Sequence, residues 1–489
     1  MKPLVAIVGR PNVGKSTLFN RLARRRLALV EDVPGVTRDR HYADAEWGNR
    51  VFTVIDTGGF VPGESDALLS HVRDQAQLAI EECDAIVLVA DARAGLTPVD
   101  EEIARILRQS GKPVLVAANK VDSPKGAQQA LAAEFFRMGL GDVFAVSAEH
   151  GLGMEDMVGR LLDLLPPAPP KTAEELEDEE DFEEEAFEEG EEGEEREGRA
   201  PRPDRPVRVA IIGRPNVGKS TLINTLLGKQ RLVSSPVPGT TRDPIDSEIE
   251  HKGRRYVLTD TAGIRRQKTI AQRVEKFAVV AALKTLERSD VAVLLLDATE
   301  PAVDQDAKLA GVAEERGRAL VIVVNKWDLI EKDERKEEAF RAELKYKLKF
   351  VAYAPVLFTS ALTGERVGKV LDVVAQLAEQ FRYRAPTPQL NRLLEHMTDN
   401  HPAPIVKGRP LRLYYASQVA VAPPTFAMTC NSPDEVPAMY ERYITNQLRA
   451  TFDLRVPIRL KFRARPGQAK RAARKNPDKA SKKPRRRDS

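Results

Sequence analysis

The sequence predicts an α/β protein in which one domain built on a central, mostly parallel sheet occurs twice and a smaller α+β domain follows. Three observations predict it. The decapeptide GRPNVGKSTL at 9–18 recurs letter for letter at 213–222, and a repeat of that kind marks a duplicated unit. Short β-branched runs alternate with helical stretches through both copies, the rhythm of βαβ units around a buried sheet. The length of 489 residues exceeds what one core usually supports, so roughly three domains are expected.

Along the chain, the first copy occupies 1–166, with strands expected at Val51–Ile55, Ala85–Ala90 and Val114–Ala118. Residues 167–206 form a linker, proline-rich at its start and dominated by Asp and Glu from Glu174 to Glu197. Such a tract repels itself and has little to bury, so disorder is expected there. The second copy, 207–384, repeats the strands at Val207–Ile212, Tyr256–Thr259, Val291–Leu296 and Ala319–Val324. The α+β domain covers 385–466, with a helix around Leu390–Met397 and strands at Leu411–Ala416 and Ile458–Phe462. A polycationic tail, 467–489, carries the basic run Lys482–Arg487 and is also expected to be disordered.

Composition excludes several classes. An apolar share of 42% with 30% charged residues and a net charge of +3 is ordinary for a globular protein. The two cysteines, Cys83 and Cys430, stand far apart, so neither a disulfide framework nor a zinc site is suggested and a reducing cytoplasm is expected. Neither a signal peptide nor an apolar run long enough for a bilayer is legible, so membrane contact is expected to be peripheral at most, and the chain is expected to be a monomer.

The repeated decapeptide fits G-x-x-x-x-G-K-[ST], a phosphate-binding loop, and in both copies it follows an apolar strand and opens a helix. The nucleotide-binding candidates are therefore Gly9, Arg10, Pro11, Asn12, Val13, Gly14, Lys15, Ser16 and Thr17, and in the second copy Gly213, Arg214, Pro215, Asn216, Val217, Gly218, Lys219, Ser220 and Thr221. The glycines let backbone N–H groups turn toward phosphate, Lys15 and Lys219 reach the β and γ oxygens, and Ser16 and Ser220 offer a hydroxyl to Mg²⁺. About forty residues on come Asp56, Thr57, Gly58, Gly59 and Phe60, matched by Asp260, Thr261, Ala262, Gly263 and Ile264. The aspartates are metal candidates at strand ends, and the glycine N–H groups can sense a γ-phosphate. Between these motifs lie Thr37 and Thr241, at one common offset from copy to copy. Each can close onto Mg²⁺ and the γ-phosphate and release after hydrolysis; Thr240 competes with Thr241 for the role. Lys15, Thr37, Lys219 and Thr241 are the catalytic candidates.

Base choice follows from Asn119, Lys120, Val121 and Asp122 and from Asn325, Lys326, Trp327 and Asp328, each set directly after an apolar strand. Asp122 or Asp328 can accept from guanine N1–H and its 2-amino group, whereas adenine would set an acceptor against the carboxylate. A buried carboxylate left unpaired costs several kcal/mol, enough for discrimination of about a thousandfold. Ser147 and Ala148, and Ser360 and Ala361, stand where a backbone N–H could reach guanine O6. GTP and GDP with Mg²⁺ are the implied ligands, in two P-loop NTPase domains of the Ras-like G type.

With GRPNVGKSTL, PGVTRD, DTGG and NKVD, then GRPNVGKSTL, PGTTRD, DTAG and NKWD, the chain resembles the bacterial tandem GTPase family called Der or EngA. The resemblance extends to LNRLLEHM, HPAPIVKGRPLRLYYASQV and PPTFAMTCN, similar to that family's C-terminal KH-like domain, and covers all but the linker and tail. It implies GTP hydrolysis in both domains and a role in assembly of the large (50S) ribosomal subunit, with that subunit or its precursor, and rRNA, as partner. Asn12 and Asn216 match the asparagine of potassium-activated relatives, which implies K⁺ stimulation. Phe60 and Ile264 fall where many GTPases hold a water-orienting glutamine, and the third region lacks a GXXG loop. RNA contact would then fall to exposed basic groups and the tail, with the third domain docked on a GTPase domain. Two rivals stay open: a potassium-dependent GTPase in RNA modification or at membranes, and a scaffold whose nucleotide sites are structural.

Overall fold

The computed structural model describes residues 2–27, 42–48, 50–60, 73, 76–77, 79–122, 131–167, 205–229, 231–232, 246–259, 277–300, 303–331, 334–401, 403–406 and 408–464. In the first domain β1 (Leu4–Val8) leads through the phosphate loop into α1 (Lys15–Leu27). The hairpin β2 (Tyr42–Trp47) and β3 (Arg50–Asp56) follows, then the short α2 (Thr57–Phe60) and β4 (Ala85–Asp91). Next come α3 (Pro98–Ser110), β5 (Val114–Asn119), β6 (Val143–Ala145) and α4 (Met154–Leu164). Strand order is β2-β3-β1-β4-β5-β6. All neighbours are parallel except β2 with β3. The central strands β1, β4 and β5 are buried along their whole length, which is why they read as unbroken apolar runs.

This order places a topological switch at β1, between β3 and β4, and ligands of open α/β sheets lie beyond the strand C-termini at such a point. Register then gathers the motifs. Ile7 pairs with Asp56 and Asp91 with Asn119, so the DTGG and NKVD loops leave the sheet on the edge that carries the phosphate loop. α3 starts sharply: Thr97 accepts from the Asp100 N–H in a capping box, with Pro98 in the first turn, and Gly111 closes the helix at φ 68°.

The second domain repeats the plan with β7 (Val207–Gly213), α5 (Lys219–Lys229), β8 (Arg231–Leu232), β9 (Ser247–His251) and β10 (Arg254–Thr259). It continues through α6 (Phe277–Glu287), β11 (Val291–Asp297), α7 (Asp304–Glu315) and β12 (Ala319–Asn325). α8 (Glu334–Lys347), β13 (Val356–Phe358) and α9 (Val367–Phe381) complete it. Its order is β13-β12-β11-β7-β10-β9-β8, the same sheet with one added edge strand.

The third region holds α10 (Thr387–Asn400), the small ladder β14 (Ile405–Val406) with β15 (Arg409–Pro410), and β16 (Leu413–Ala420). β17 (Thr425–Cys430), α11 (Ala438–Phe452) and β18 (Arg459–Ala464) follow. Its sheet order is β16-β17-β18, antiparallel then parallel. The strand expected at Leu411–Ala416 starts and ends later, and β17 and α11 had no counterpart in the sequence reading. One apolar cluster runs without interruption from Val374, Leu377 and Phe381 of α9 into Leu390, Phe426 and Ile444 of this domain. Polar contacts seal the seam: the Gln380 Nε2–H donates to the Asp453 carbonyl at 3.0 Å and Oε1 accepts from the Arg455 N–H at 2.9 Å. The Arg459 guanidinium donates to the Glu315 carbonyl at 2.8 Å. The third domain is thus docked on the second.

The first and second domains also touch. The Arg316 guanidinium, 6% exposed, pairs with Glu287 at 2.7 Å and crosses to Asp44 at 2.9 Å, while its other nitrogen donates to Thr53 Oγ1 at 3.0 Å. Lys284 lies 3.5 Å from Glu82. Among the described residues no helix is long and apolar enough to cross a membrane.

Candidate functional site

Each site is assembled from loops that the sheet edge brings together. In the first, the Asn119 side chain, 3% exposed, joins the base-reading loop to the phosphate loop: its Nδ2–H donates to the Val13 carbonyl at 2.8 Å, and its Oδ1 accepts from the Ala148 N–H at 2.9 Å. Asn325 repeats both bonds, to the Val217 carbonyl and from the Ala361 N–H, each at 2.8 Å. Gly14 has no room for a side chain here, because a Cβ at its φ of +97° would stand 2.3 Å from Asn119 Nδ2. The Ala148 and Ala361 N–H groups thus donate to the asparagines. Asn12 and Asn216 crest their loops with φ of 65° and 63°, a left-handed conformation that asparagine tolerates.

Lys15 is 8% exposed and donates to the carbonyls of Gly9 at 2.8 Å and Arg10 at 2.9 Å. Lys219 does the same to Gly213 at 2.8 Å and Arg214 at 2.6 Å. Burial lowers both amines, Lys15 against the raising charge of Asp56 and Lys219 down to about 8. A polyphosphate would oppose that desolvation. The Ser16 hydroxyl donates to Asp56 Oδ2 at 2.7 Å, and the Gly58 N–H donates to Oδ1 at 2.9 Å. The Thr57 hydroxyl donates to the Ile7 carbonyl at 2.7 Å and pins that turn to β1. A hydroxyl and a carboxylate oxygen this close are hard oxygen donors of the kind that suits Mg²⁺ with phosphate and water completing the shell. Ser16 and Asp56 therefore fit that ion.

Several candidate side chains are engaged within the protein. The Arg10 and Arg214 side chains turn toward acids at α3 and α7. Arg10 Nε stands 3.4 Å from Asp100, while Arg214 meets Asp306 at 3.1 Å and Glu300 at 2.7 Å, so only their backbone faces the loop interior. The side chains of Val13, Val121 and Val217 are buried. Trp327 is buried too, its ring 4.3 Å from Phe358 and 5.8 Å from Phe340. These positions line the site through main chain. Thr37, Thr241 and Asp260 through Ile264 lie outside the described residues, as does the side chain of Phe60.

The base-reading carboxylates differ between copies. Asp122 Oδ1 accepts from the Ser147 hydroxyl at 2.9 Å, and its other oxygen accepts from Arg93 Nη2. The Ser147 hydrogen bond, and then the Arg93 charge, hold the Asp122 carboxyl below the usual range. The lysines of the motif tie back to the strand ends: Lys120 donates to Asp91 at 2.7 Å and to the Asn12 carbonyl at 2.8 Å, and Lys326 pairs with Asp297. Sequence reasoning missed Arg93, Asp91 and Asp297. For the two aspartates, the acid that ends the strand beside the base-reading one in DARAG and in DATEP carried the signal.

Known proteins agree with this geometry. A family described as 50S ribosome-binding GTPase matches residues 4–120 and again 208–326. One described as the KH-domain-like of EngA bacterial GTPase enzymes, C-terminal, matches 384–463. GTPase Der of Myxococcus xanthus is 67% identical over 482 residues, covering 99% of this chain and 100% of its own. GTPase Der of Pelotomaculum thermopropionicum is 47% identical over 469 residues, covering 96% and 100%. Two guanine-nucleotide folds in tandem, a KH-like domain behind them and identity along nearly the whole length have one reading: the chain belongs to the GTPase Der family.

Proposed function

We propose that this GTPase acts in the cytoplasm as a nucleotide-driven switch in maturation of the large (50S) ribosomal subunit, hydrolysing GTP to GDP and phosphate in both domains. The observation that carries the proposal is the double match to a family described as 50S ribosome-binding GTPase, with a KH-like domain docked on the second copy. Lys15 and Lys219 move from the loop carbonyls to the β and γ oxygens, where their charge opposes the negative charge of the transferring phosphoryl group. Ser16 with Asp56, and Ser220 with Asp260, hold Mg²⁺, which neutralises phosphate charge when bound. Thr37 and Thr241 close over the γ-phosphate and let go once it leaves, coupling nucleotide to shape. Asn12 and Asn216 are the candidates to hold K⁺ beside the phosphates, and equal hydrolysis in KCl and NaCl would remove that part.

The basic tail supplies salt-sensitive attraction to rRNA. Sedimentation of the chain with ribosomal subunits under GDP and a GTP analogue, with Lys15→Ala and Lys219→Ala variants beside it, tests the proposal. Nucleotide-dependent recovery with the large subunit is expected. Failure of every nucleotide state to bind would turn the reading toward RNA modification or a membrane role.

A further inference from the structure

We propose that Arg93 weakens guanine selectivity in the first domain alone, by competing with the base for the carboxylate of Asp122. The inference rests on the nucleotide-site reading above and deepens it. Three contacts place the guanidinium. Arg93 Nη2 donates to Asp122 Oδ2, Nε donates to the Lys120 carbonyl at 3.3 Å, and the Arg93 N–H donates to Asp91 Oδ1 at 3.0 Å. The last bond fixes the backbone of the loop after β4, so the side chain starts from a tethered Cα and reaches sideways over the base-reading turn. His150 Nε2 stands 4.0 Å from the other oxygen, which already accepts from Ser147.

The second domain is built otherwise. The loop position that holds Arg93 in the first copy, two residues beyond the strand-end aspartate, holds Thr299 in the second. The Thr299 hydroxyl and N–H turn inward to Asp297, at 2.7 and 2.9 Å. Where His150 follows the SAE motif, Thr363 follows SAL. Asp328 is exposed and among the described residues forms no ion pair. The duplication thus carries one base-reading carboxylate with a cation on it and one without.

The chemistry follows from donor counting. Guanine offers two donors to this carboxylate, N1–H and the 2-amino group, so one of them must share Oδ2 with Arg93 while the other shares Oδ1 with Ser147. Hypoxanthine, which lacks the amino group, needs one oxygen and can leave Arg93 in place. Removing Arg93 therefore helps guanine more than hypoxanthine. The Arg93 and Asp122 side chains are 59% and 28% exposed, and a pair this open to water is worth little. The effect on GDP affinity should be about threefold to fivefold, not orders of magnitude.

Calorimetry with GDP and IDP on the full chain tests this, using a Lys219→Ala background so that the first domain reads out. Arg93→Thr, which installs the second domain's residue, should tighten GDP by about fivefold, leave IDP within about twofold and so raise the GDP/IDP preference. Arg93→Lys should fall between. The reciprocal Thr299→Arg, in a Lys15→Ala background, should weaken GDP and lower the preference in the second domain. An unchanged or reduced preference in Arg93→Thr would overturn the proposal and assign Arg93 to stacking on the bound base. Absence of GDP binding to the first domain in every background would instead overturn the nucleotide-site reading itself, a different and recognisable failure.

Discussion

Asn119 is the residue whose loss is expected to cost the first nucleotide site most for the fewest atoms removed. Its amide spans two loops, donating to the Val13 carbonyl and accepting from the Ala148 N–H at 2.8 and 2.9 Å in a buried setting. Asn119→Ala deletes both bonds and strands one buried acceptor and one buried donor, each at about 1–3 kcal/mol. Water entering the small gap recovers part, so about 3 kcal/mol is a reasonable net. Because the phosphate loop and the base-reading turn are then no longer held in one frame, that loss should appear in nucleotide affinity as about a hundredfold. Calorimetric titration with GDP in a Lys219→Ala background measures it. Asn119→Asp keeps the shape but sets a carboxylate oxygen against the Val13 carbonyl, and should be at least as harmful. Affinity within about threefold of the parent in both variants would refute the bridging argument.

Three further outcomes follow from the geometry. Gly14→Ala forces a Cβ to 2.3 Å from Asn119 Nδ2 and should abolish nucleotide binding in the first domain, while Gly111→Ala, with a similar φ of +68° but nothing within 4 Å, should cost only about 1 kcal/mol in thermal unfolding; equal effects would deny the contact. Binding of GDP to the second domain should take up protons as pH rises past about 8, because burial has lowered Lys219 to about 8 and a polyphosphate raises it again; calorimetry in buffers of differing ionisation enthalpy reads the uptake, which should vanish near pH 6.5. Burial pushes the Asp44 carboxyl upward, yet the charges of Arg316 and then Lys2 bring it down to about 2. Its contribution of about 2 kcal/mol is present above pH 3.8 and lost as pH falls toward 2. Arg316→Ala should move the Asp44 carboxyl titration back toward 3.8, and an unmoved midpoint would show that the domains do not meet through this pair.

The nucleotide domains were legible because their chemistry is local. A phosphate loop needs its glycines, lysine and serine within eight residues, and the strands before the motifs are buried on both faces and so read as continuous apolar runs. The expected strands at Ala85–Ala90 and Ala319–Val324 each gain one residue, the polar Asp91 and Asn325 that end them at the site. What was hidden depends on tertiary register. Arg93 meets Asp122 only because β4 and β5 lie side by side with Asp91 opposite Asn119; nothing local in ARAG announces it. Arg10 and Arg214 illustrate the converse. They sit inside the phosphate loops, but a buried acid distant in sequence, Asp100 on α3 or Asp306 on α7, takes the side chain. In the third domain, β17 is hard to read because TFAMTC follows two prolines and its strand-favouring Thr and Phe are interleaved with Ala, Met and Cys. It lies at the centre of its sheet, packed against α10 and α11.

The most direct test is the number of guanine nucleotides one chain binds. Titration calorimetry of the full chain with GDP should give two per chain, one in each of the Lys15→Ala and Lys219→Ala variants and none in the double variant, with ATP unable to compete. A stoichiometry of one in the parent chain, or displacement of GDP by equimolar ATP, would contradict the account of two complete and guanine-selective sites.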